Sequence, residues 1–129
     1  NFSIAIGDID LFKNINDTYG HNCGDQVLKS LSDLFRQKTL GIGHVCRWGG
    51  EEFLFFFPDL NLDAAATLMN DINIAVSRCN MNYKDITLHV TMTFGVEEND
   101  YHSNISDIIK SADDKLYYGK THGRDTVIS

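Results

Sequence analysis

Two strand-like runs, Val45 to Trp48 and Glu51 to Phe57, are separated by nothing but Gly49-Gly50. A two-residue glycine loop between apolar runs predicts a tight antiparallel hairpin with a primed turn, because that turn's backbone twist matches the twist of its strands. Pro58 ends the second run, since proline cannot donate to a sheet ladder. The stretch Phe53-Leu54-Phe55-Phe56-Phe57 does not alternate, which predicts cover on both faces and a central place in the sheet. Whatever the chain folds into is built around this hairpin.

The remaining periodicities supply its neighbours. Phe2 to Gly7 is a short apolar run that reads as a buried strand and delivers Asp8-Ile9-Asp10 at its C-terminal end. From Asp25 to Lys38 the residues Val27, Leu28, Leu31, Leu34 and Phe35 recur at the spacing of one helical face. A second helix is expected from Leu62 to Asn80, capped by Asn61, and a third through Ile105, Ile108, Ile109, Ala112 and Leu116. Ser103 or Asn104 caps that third helix, and Gly123 supplies its left-handed stop. Between these helices, Ile86, Leu88, Val90, Met92 and Phe94 alternate with Thr and His, predicting one strand buried on one face. A short last strand is expected at Asp125 to Ile128. The order is an α+β, ferredoxin-like βαββαβ pattern, with an antiparallel-containing sheet flanked by helices. In it the first and third strands are antiparallel neighbours, so Asp8 and Asp10 come to lie beside Glu51 and Glu52.

Carboxylates converging on one sheet edge repel each other unless a cation sits among them. A hard divalent ion such as magnesium, held by one or two carboxylates plus water and substrate phosphates, is the natural guest, and the chemistry it suits is nucleotidyl or phosphoryl transfer. The segment Leu11 to His21 directly follows the first strand, where a helix N-terminus offers backbone N–H groups to phosphate and Lys13 offers charge. Composition narrows the field further. With 129 residues the chain is one domain, and 18 acidic against 11 basic residues give a net charge of −7, which disfavours nucleic acid and anionic membranes as partners. No apolar run approaches the roughly 20 residues of a membrane span. Three cysteines without a Cys-x-x-Cys pair fit reduced thiols in the cytoplasm, a setting compatible with a membrane anchor elsewhere in a longer protein.

Arg47-Trp48-Gly49-Gly50-Glu51-Glu52-Phe53 resembles the signature of the GGDEF family, the diguanylate cyclases, in its Gly-Gly-Glu-Glu-Phe form. Asp8-Ile9-Asp10-Leu11-Phe12-Lys13, continuing through Ile15-Asn16-Asp17-Thr18-Tyr19-Gly20-His21 to Gly24-Asp25, is similar to the family's first long motif, and Ala112-Asp113 through Lys120 to Gly123-Arg124 is similar to its last. Three matches in the right order cover nearly the whole of residues 1–129.

The resemblance implies a sheet of the nucleotide-cyclase and polymerase-palm type and a reaction that joins two GTP molecules into cyclic di-GMP with release of two pyrophosphates. It implies Mg2+ or Mn2+ held by Asp8, Glu51 and the backbone carbonyl of Ile9, with Glu52 beside the metal and the reacting hydroxyl. Asn16 and Asp25 match the guanine-reading pair. A carboxylate accepts from the adjacent N1–H and N2–H2 donors of guanine, which adenine does not offer. His21 falls within the same substrate-binding motif. Lys13, Lys120 and Arg124 match phosphate contacts, together with the backbone at Leu11 and Phe12, and a side chain at Gly49 or Gly50 would obstruct the nucleotide. One half-site holds one GTP, so a homodimer facing itself across a two-fold axis is implied.

Three departures from the family pattern qualify these expectations. Gly7 stands where an aliphatic residue is usual, at some cost in packing. The helix and the Asp-x-Leu-Thr-Gly-Leu-x-Asn-Arg stretch that the family carries upstream are missing before Asn1, and a sensory domain is expected to precede this one in the full-length protein. Leu40 and Gly43 occupy the place of an Arg-x-x-Asp that forms an inhibitory product site. A GTP- or cyclic di-GMP-binding module without turnover, or a structural dimerisation domain, would share the same fold.

Overall fold

The structure is a computed structural model that describes residues 1–129. Strand β1 (Ser3–Ile9) is followed by α1 (Phe12–Tyr19) and α2 (His21–Thr39), then by the hairpin β2 (His44–Gly49) and β3 (Glu52–Phe57). Helix α3 (Leu62–Arg78), the small hairpin β4 (Met81–Tyr83) and β5 (Ile86–Leu88), strand β6 (Met92–Glu98), helix α4 (Ile105–Thr121) and strand β7 (Thr126–Ile128) complete the chain. The main sheet has five strands in the order β2-β3-β1-β6-β7, antiparallel except for the β6/β7 pair. This is the expected α+β, ferredoxin-like arrangement. No helix is long and apolar enough to cross a membrane.

The sheet separates two apolar layers. On one face Ala5, Ile9, Phe53, Phe55, Phe57, Met92, Phe94 and Val96 pack with α2 and α3 residues such as Val27, Leu31, Phe35, Met69 and Ile72. Phe35 meets Phe53 and Phe55 edge-on, at 5.0 Å in each case. On the other face Ile4 and Ile6 pack with Ile108, Ala112 and Leu116 of α4. Helix α4 approaches closely because of a glycine: a Cβ at Gly95 would stand 2.0 Å from the Ala112 carbonyl oxygen. The caps behave as expected, with Asn61 accepting from Ala64 N–H and Asn104 from Asp107 N–H, both at 2.9 Å.

Several expectations are corrected. The hairpin loop is Gly50-Glu51, because Gly49 pairs with Glu52 after an irregularity at Trp48, and of the two glycines only Gly50 has a positive φ, 44°. Strand β3 lies next to the edge strand, and its Phe56 is 37% exposed, because α4 covers only part of that face. The alternating run from Ile86 to Phe94 is two strands: β5 turns back on β4, whereas β6 joins β1. The apolar side stays buried through the break at Leu88, Val90 and Met92, so the alternation alone does not reveal it. Helix α2 begins at His21, earlier than Asp25, and α1 is an additional element.

Gly7 also has a different meaning from the one expected. A Cβ there would stand 2.3 and 2.4 Å from ring carbons of Phe94, its register partner on β6. The ring therefore fills the volume that an aliphatic side chain would take, and packing is kept. Gly7→Ala should destabilise the domain by about 1–3 kcal/mol through overpacking. Adding Phe94→Leu should recover part of that loss, which a urea-denaturation double-mutant cycle would measure as a favourable coupling.

Candidate active site

The period of two along β1 places the first charge. Ile4 and Ile6 face α4, and Asp8 continues their series, so its carboxylate emerges beneath the last turn of that helix. There Lys120 Nζ donates to Asp8 Oδ2 in a salt bridge with only 7% of the Asp8 side chain exposed. Glu52 is the cross-strand partner of Asp8 on β3, as the topology predicted. Burial pushes the Asp8 carboxyl above its ordinary range; the Lys120 bond and charge oppose this, and Glu51 and Asp10 add to it. Glu52 is raised for the same reason, first by burial and then by Asp8 and Asp113, with Lys120 again opposing. One ammonium thus serves two facing carboxylates.

A cleft of about 200 Å³ opens at this point, lined by Asp8, Ile9, Asp10, Leu11, Phe12, Lys13, Glu51, Lys120 and Arg124. Leu11 takes a left-handed conformation, φ 56° and ψ 33°, which turns the chain from strand into helix within one residue. No side chain caps α1, and although Asn14 N–H donates to the Leu11 carbonyl at 3.0 Å, the N–H groups of Phe12 and Lys13 at the helix start face an outside acceptor with the Lys13 charge beside them. Three carboxylates, three cations and a helix N-terminus meet here, and the cations and N–H groups suit a phosphate chain. The cleft's volume is below the roughly 300–1,000 Å³ of pockets that enclose a whole small molecule. A larger cleft, about 640 Å³ between Ile42, Leu60 and the first turns of α3, contains two aspartates and no cation, which unsuits it for phosphate.

The remaining residues singled out in the sequence stand around this cleft. Gly49 and Gly50 have nothing within 4 Å of a built Cβ, so no internal packing demands glycine at 49, and the space there is open to a ligand. Asn16, His21 and Asp25 lie outside the cleft, on α1 and the exposed start of α2. They belong together all the same: a Cβ at Gly24 would stand 2.0 Å from Asn16 Oδ1, so this glycine lets α1 rest on α2 next to Asp25. Asn16 Oδ1 is buried without a hydrogen-bond partner.

The four carboxylates anticipated from topology do meet at this edge, but Asp10 is tied off by partners of its own. Asp10 accepts from the Thr91 and Thr93 hydroxyls, both at 2.7 Å, and from Asp125 N–H at 3.0 Å. These partners carry no local sequence signal, since the two threonines read as the outward face of a strand. Nor do three His, Cys, Asp or Glu side chains gather into a cage. The donor set that remains, Asp8 and Glu51 with the main chain at Ile9, is nevertheless what Mg2+ uses, because that ion takes one or two carboxylates and completes its shell with water and phosphate oxygens. Lys120, expected at a phosphate, lines the cleft and is at the same time the partner of Asp8.

The loop before the hairpin lacks the inhibitory motif in space as well as in sequence. Leu40 is 83% exposed, and a Cβ at Gly43 would stand 2.3 Å from the Phe56 carbonyl oxygen, so an aspartate cannot be placed there without moving backbone.

Comparison with known proteins agrees with this geometry. The family profile described as "Diguanylate cyclase, GGDEF domain" matches residues 1–126. Diguanylate cyclase DgcM of Escherichia coli K12 is 34% identical over 128 residues, which is 99% of this chain and 30% of DgcM. The chain thus spans about a third or less of the curated relatives it matches first. Among solved structures, the GGDEF domain of DgcB from Caulobacter crescentus in complex with c-di-GMP superposes with a TM-score of 0.93 at 30% identity, covering 98% of this chain and 76% of that one. The active GGEEF domain of a diguanylate cyclase from Vibrio cholerae gives 0.89 at 30% identity, covering 98% and 81%.

The charge balance yields a test. Asp8 and Glu52 have folded-state pKa values above their ordinary 3.8 and 4.5, so the folded domain holds these protons more tightly than the unfolded chain does. Their contribution therefore falls as pH rises from those ordinary values through the raised ones. A bound divalent cation reverses that penalty. Added Mg2+ should raise Tm more at pH 7.5 than at pH 5, and Asp8→Asn should remove the gain. A gain that survives the substitution would place the cation elsewhere.

Proposed function

The chain belongs to the GGDEF domain family, and we propose that it is a diguanylate cyclase half-site that binds one GTP and joins it to a second, held by another copy of the domain, to give cyclic di-GMP and two pyrophosphates. The observation that carries this reading is the single cleft in which Asp8 and Glu51 meet Lys13, Lys120 and Arg124 at the end of β1.

Mg2+ or Mn2+ would be held by Asp8, Glu51 and the Ile9 carbonyl, and when bound it supplies Lewis-acid polarisation of the α-phosphate and a lowered pKa for the attacking hydroxyl. The protein's own groups do the rest. Lys13, Arg124 and the α1 N-terminus neutralise the phosphate chain, while Leu11 and Phe12 shape its floor. Glu52 faces Asp8 across the strands, and its raised pKa suits a carboxylate that takes a proton from the 3′-hydroxyl. Asn16 and Asp25 read the guanine edge beyond the cleft, with His21 at the same helix start, and the open space over Gly49 and Gly50 admits the nucleotide. The hydroxyl and the α-phosphorus that react come from different GTP molecules, so two copies must face each other. DgcM is more than three times the length matched, and a sensory domain outside the matched stretch is the kind of segment that would bring two copies together.

Chromatography of nucleotides after incubation with GTP and Mg2+ tests the activity. We expect a product that co-elutes with cyclic di-GMP, and a rate per monomer that rises with protein concentration until dimers saturate. Glu51→Gln should reduce the rate at least about a hundredfold with Tm nearly unchanged, because Glu51 lies in a turn and contributes a charge rather than a core contact. Binding of GTP without product would make the domain a GTP-binding module.

Asp25→Asn separates base reading from chemistry. An amide can turn a donor toward guanine's two donors, so the preference for GTP over ATP should fall about tenfold or more. An unchanged preference would remove Asp25 from the guanine site.

A further inference from the structure

We propose that Asp10 is a positioning residue, which acts by holding the turn that presents Arg124 to the cleft. The proposal rests on the reading of that cleft as the GTP phosphate site. Beyond α4 the chain runs through Gly123, Arg124 and Asp125 with φ of 106°, 58° and 46°, three successive left-handed residues of which two are not glycine. L-residues adopt this conformation at a cost, and two in a row persist only where surrounding contacts hold them.

The contacts are few. Arg124 N–H donates to the Gly119 carbonyl at 3.0 Å, Asn73 Nδ2 donates to Asp125 Oδ1 at 3.3 Å, and Asp125 N–H donates to Asp10 Oδ2 at 3.0 Å. Only the last ties the turn to the strand that carries the metal-side carboxylate. Asp10 is itself fixed, being 9% exposed and clamped by the Thr91 and Thr93 hydroxyls, with its own N–H donating to the Thr91 carbonyl at 2.9 Å. Three of the roughly four acceptor directions of the carboxylate are thereby used, which leaves little for a metal. Asp8 and Asp10 accordingly divide the work: Asp8 meets the last turn of α4 through Lys120, and Asp10 meets the turn after it through Asp125.

The experiment uses Asp10→Ala, Asp10→Asn, Arg124→Ala and the double variant Asp10→Ala/Arg124→Ala, read by amide hydrogen exchange and by GTP kinetics over a Mg2+ titration. Asp10→Ala should speed exchange of the Asp125 amide about tenfold while β1 and β6 amides keep their protection. It should raise KM for GTP about tenfold and change kcat by less than about threefold. Asp10→Asn should recover part of both, because its amide oxygen still accepts from Asp125. In the Arg124→Ala background, removal of Asp10 should add less than about twofold to KM. An Asp125 amide that exchanges at the same rate in Asp10→Ala and Asp10→Asn overturns the proposal, whether or not the domain turns GTP over. So does a shift of the half-saturating Mg2+ concentration with KM unchanged, or an equal KM effect with and without Arg124. Loss of Ala-variant folding leaves Asp10→Asn to decide. Absence of cyclic di-GMP from wild type defeats the cyclase reading alone, since amide exchange still reports on the turn.

Discussion

The alternation of β1 between two covered faces is the constraint on which the rest of the structure depends. Odd positions such as Ala5 and Ile9 enter the larger apolar layer, and even positions such as Ile4 and Ile6 lie under α4. A slip of one residue would send Asp8 into the aromatic layer with Phe53 and Phe94, where no cation could reach it. Gly95 serves the same end from the neighbouring strand: by letting the α4 backbone rest on β6, it sets the height at which Lys120 arrives over Asp8. Precision at the charged end is therefore inherited from packing several residues away.

The electrostatics follow from that geometry. Facing carboxylates on adjacent strands, partly removed from water, interact far more strongly than the same groups at an open surface. Elsewhere the domain solves such problems with local partners. Glu97 is held below its ordinary range, although burial pushes it up, by hydrogen bonds from Ser111, Lys115 and the Glu98 N–H. Asp8 and Glu52 share a single lysine and stay raised. The difference is one of partners: Glu97 has three hydrogen-bond donors of its own, whereas Asp8 and Glu52 draw on one ammonium between them.

Much of this was legible in the sequence, and the failures have physical causes. The strand order, the helix caps at Asn61 and Asn104 and the meeting of Asp8 with Glu52 follow from periodicity and topology. Residue-level roles that depend on long-range partners do not. Nothing near Asp10 in the chain announces Thr91, Thr93 or Asp125 as its partners, and a short carboxylate spacing reads equally as a metal pair. The break between β5 and β6 is silent because both strands keep the same side buried. Gly7 looks like a packing defect until the Phe94 ring is seen in its place.

The Lys120 ammonium seated on Asp8 has a consequence for how such a domain changes over evolutionary time. Because the counter-charge is covalently part of the chain, part of the repulsion at the acidic edge is answered within the fold itself. Exchange of Glu51 or Glu52 leaves the Asp8–Lys120 pair, and with it the junction of β1 and α4, in place. Over evolutionary time the charged edge can therefore drift while the scaffold beneath it stays the same.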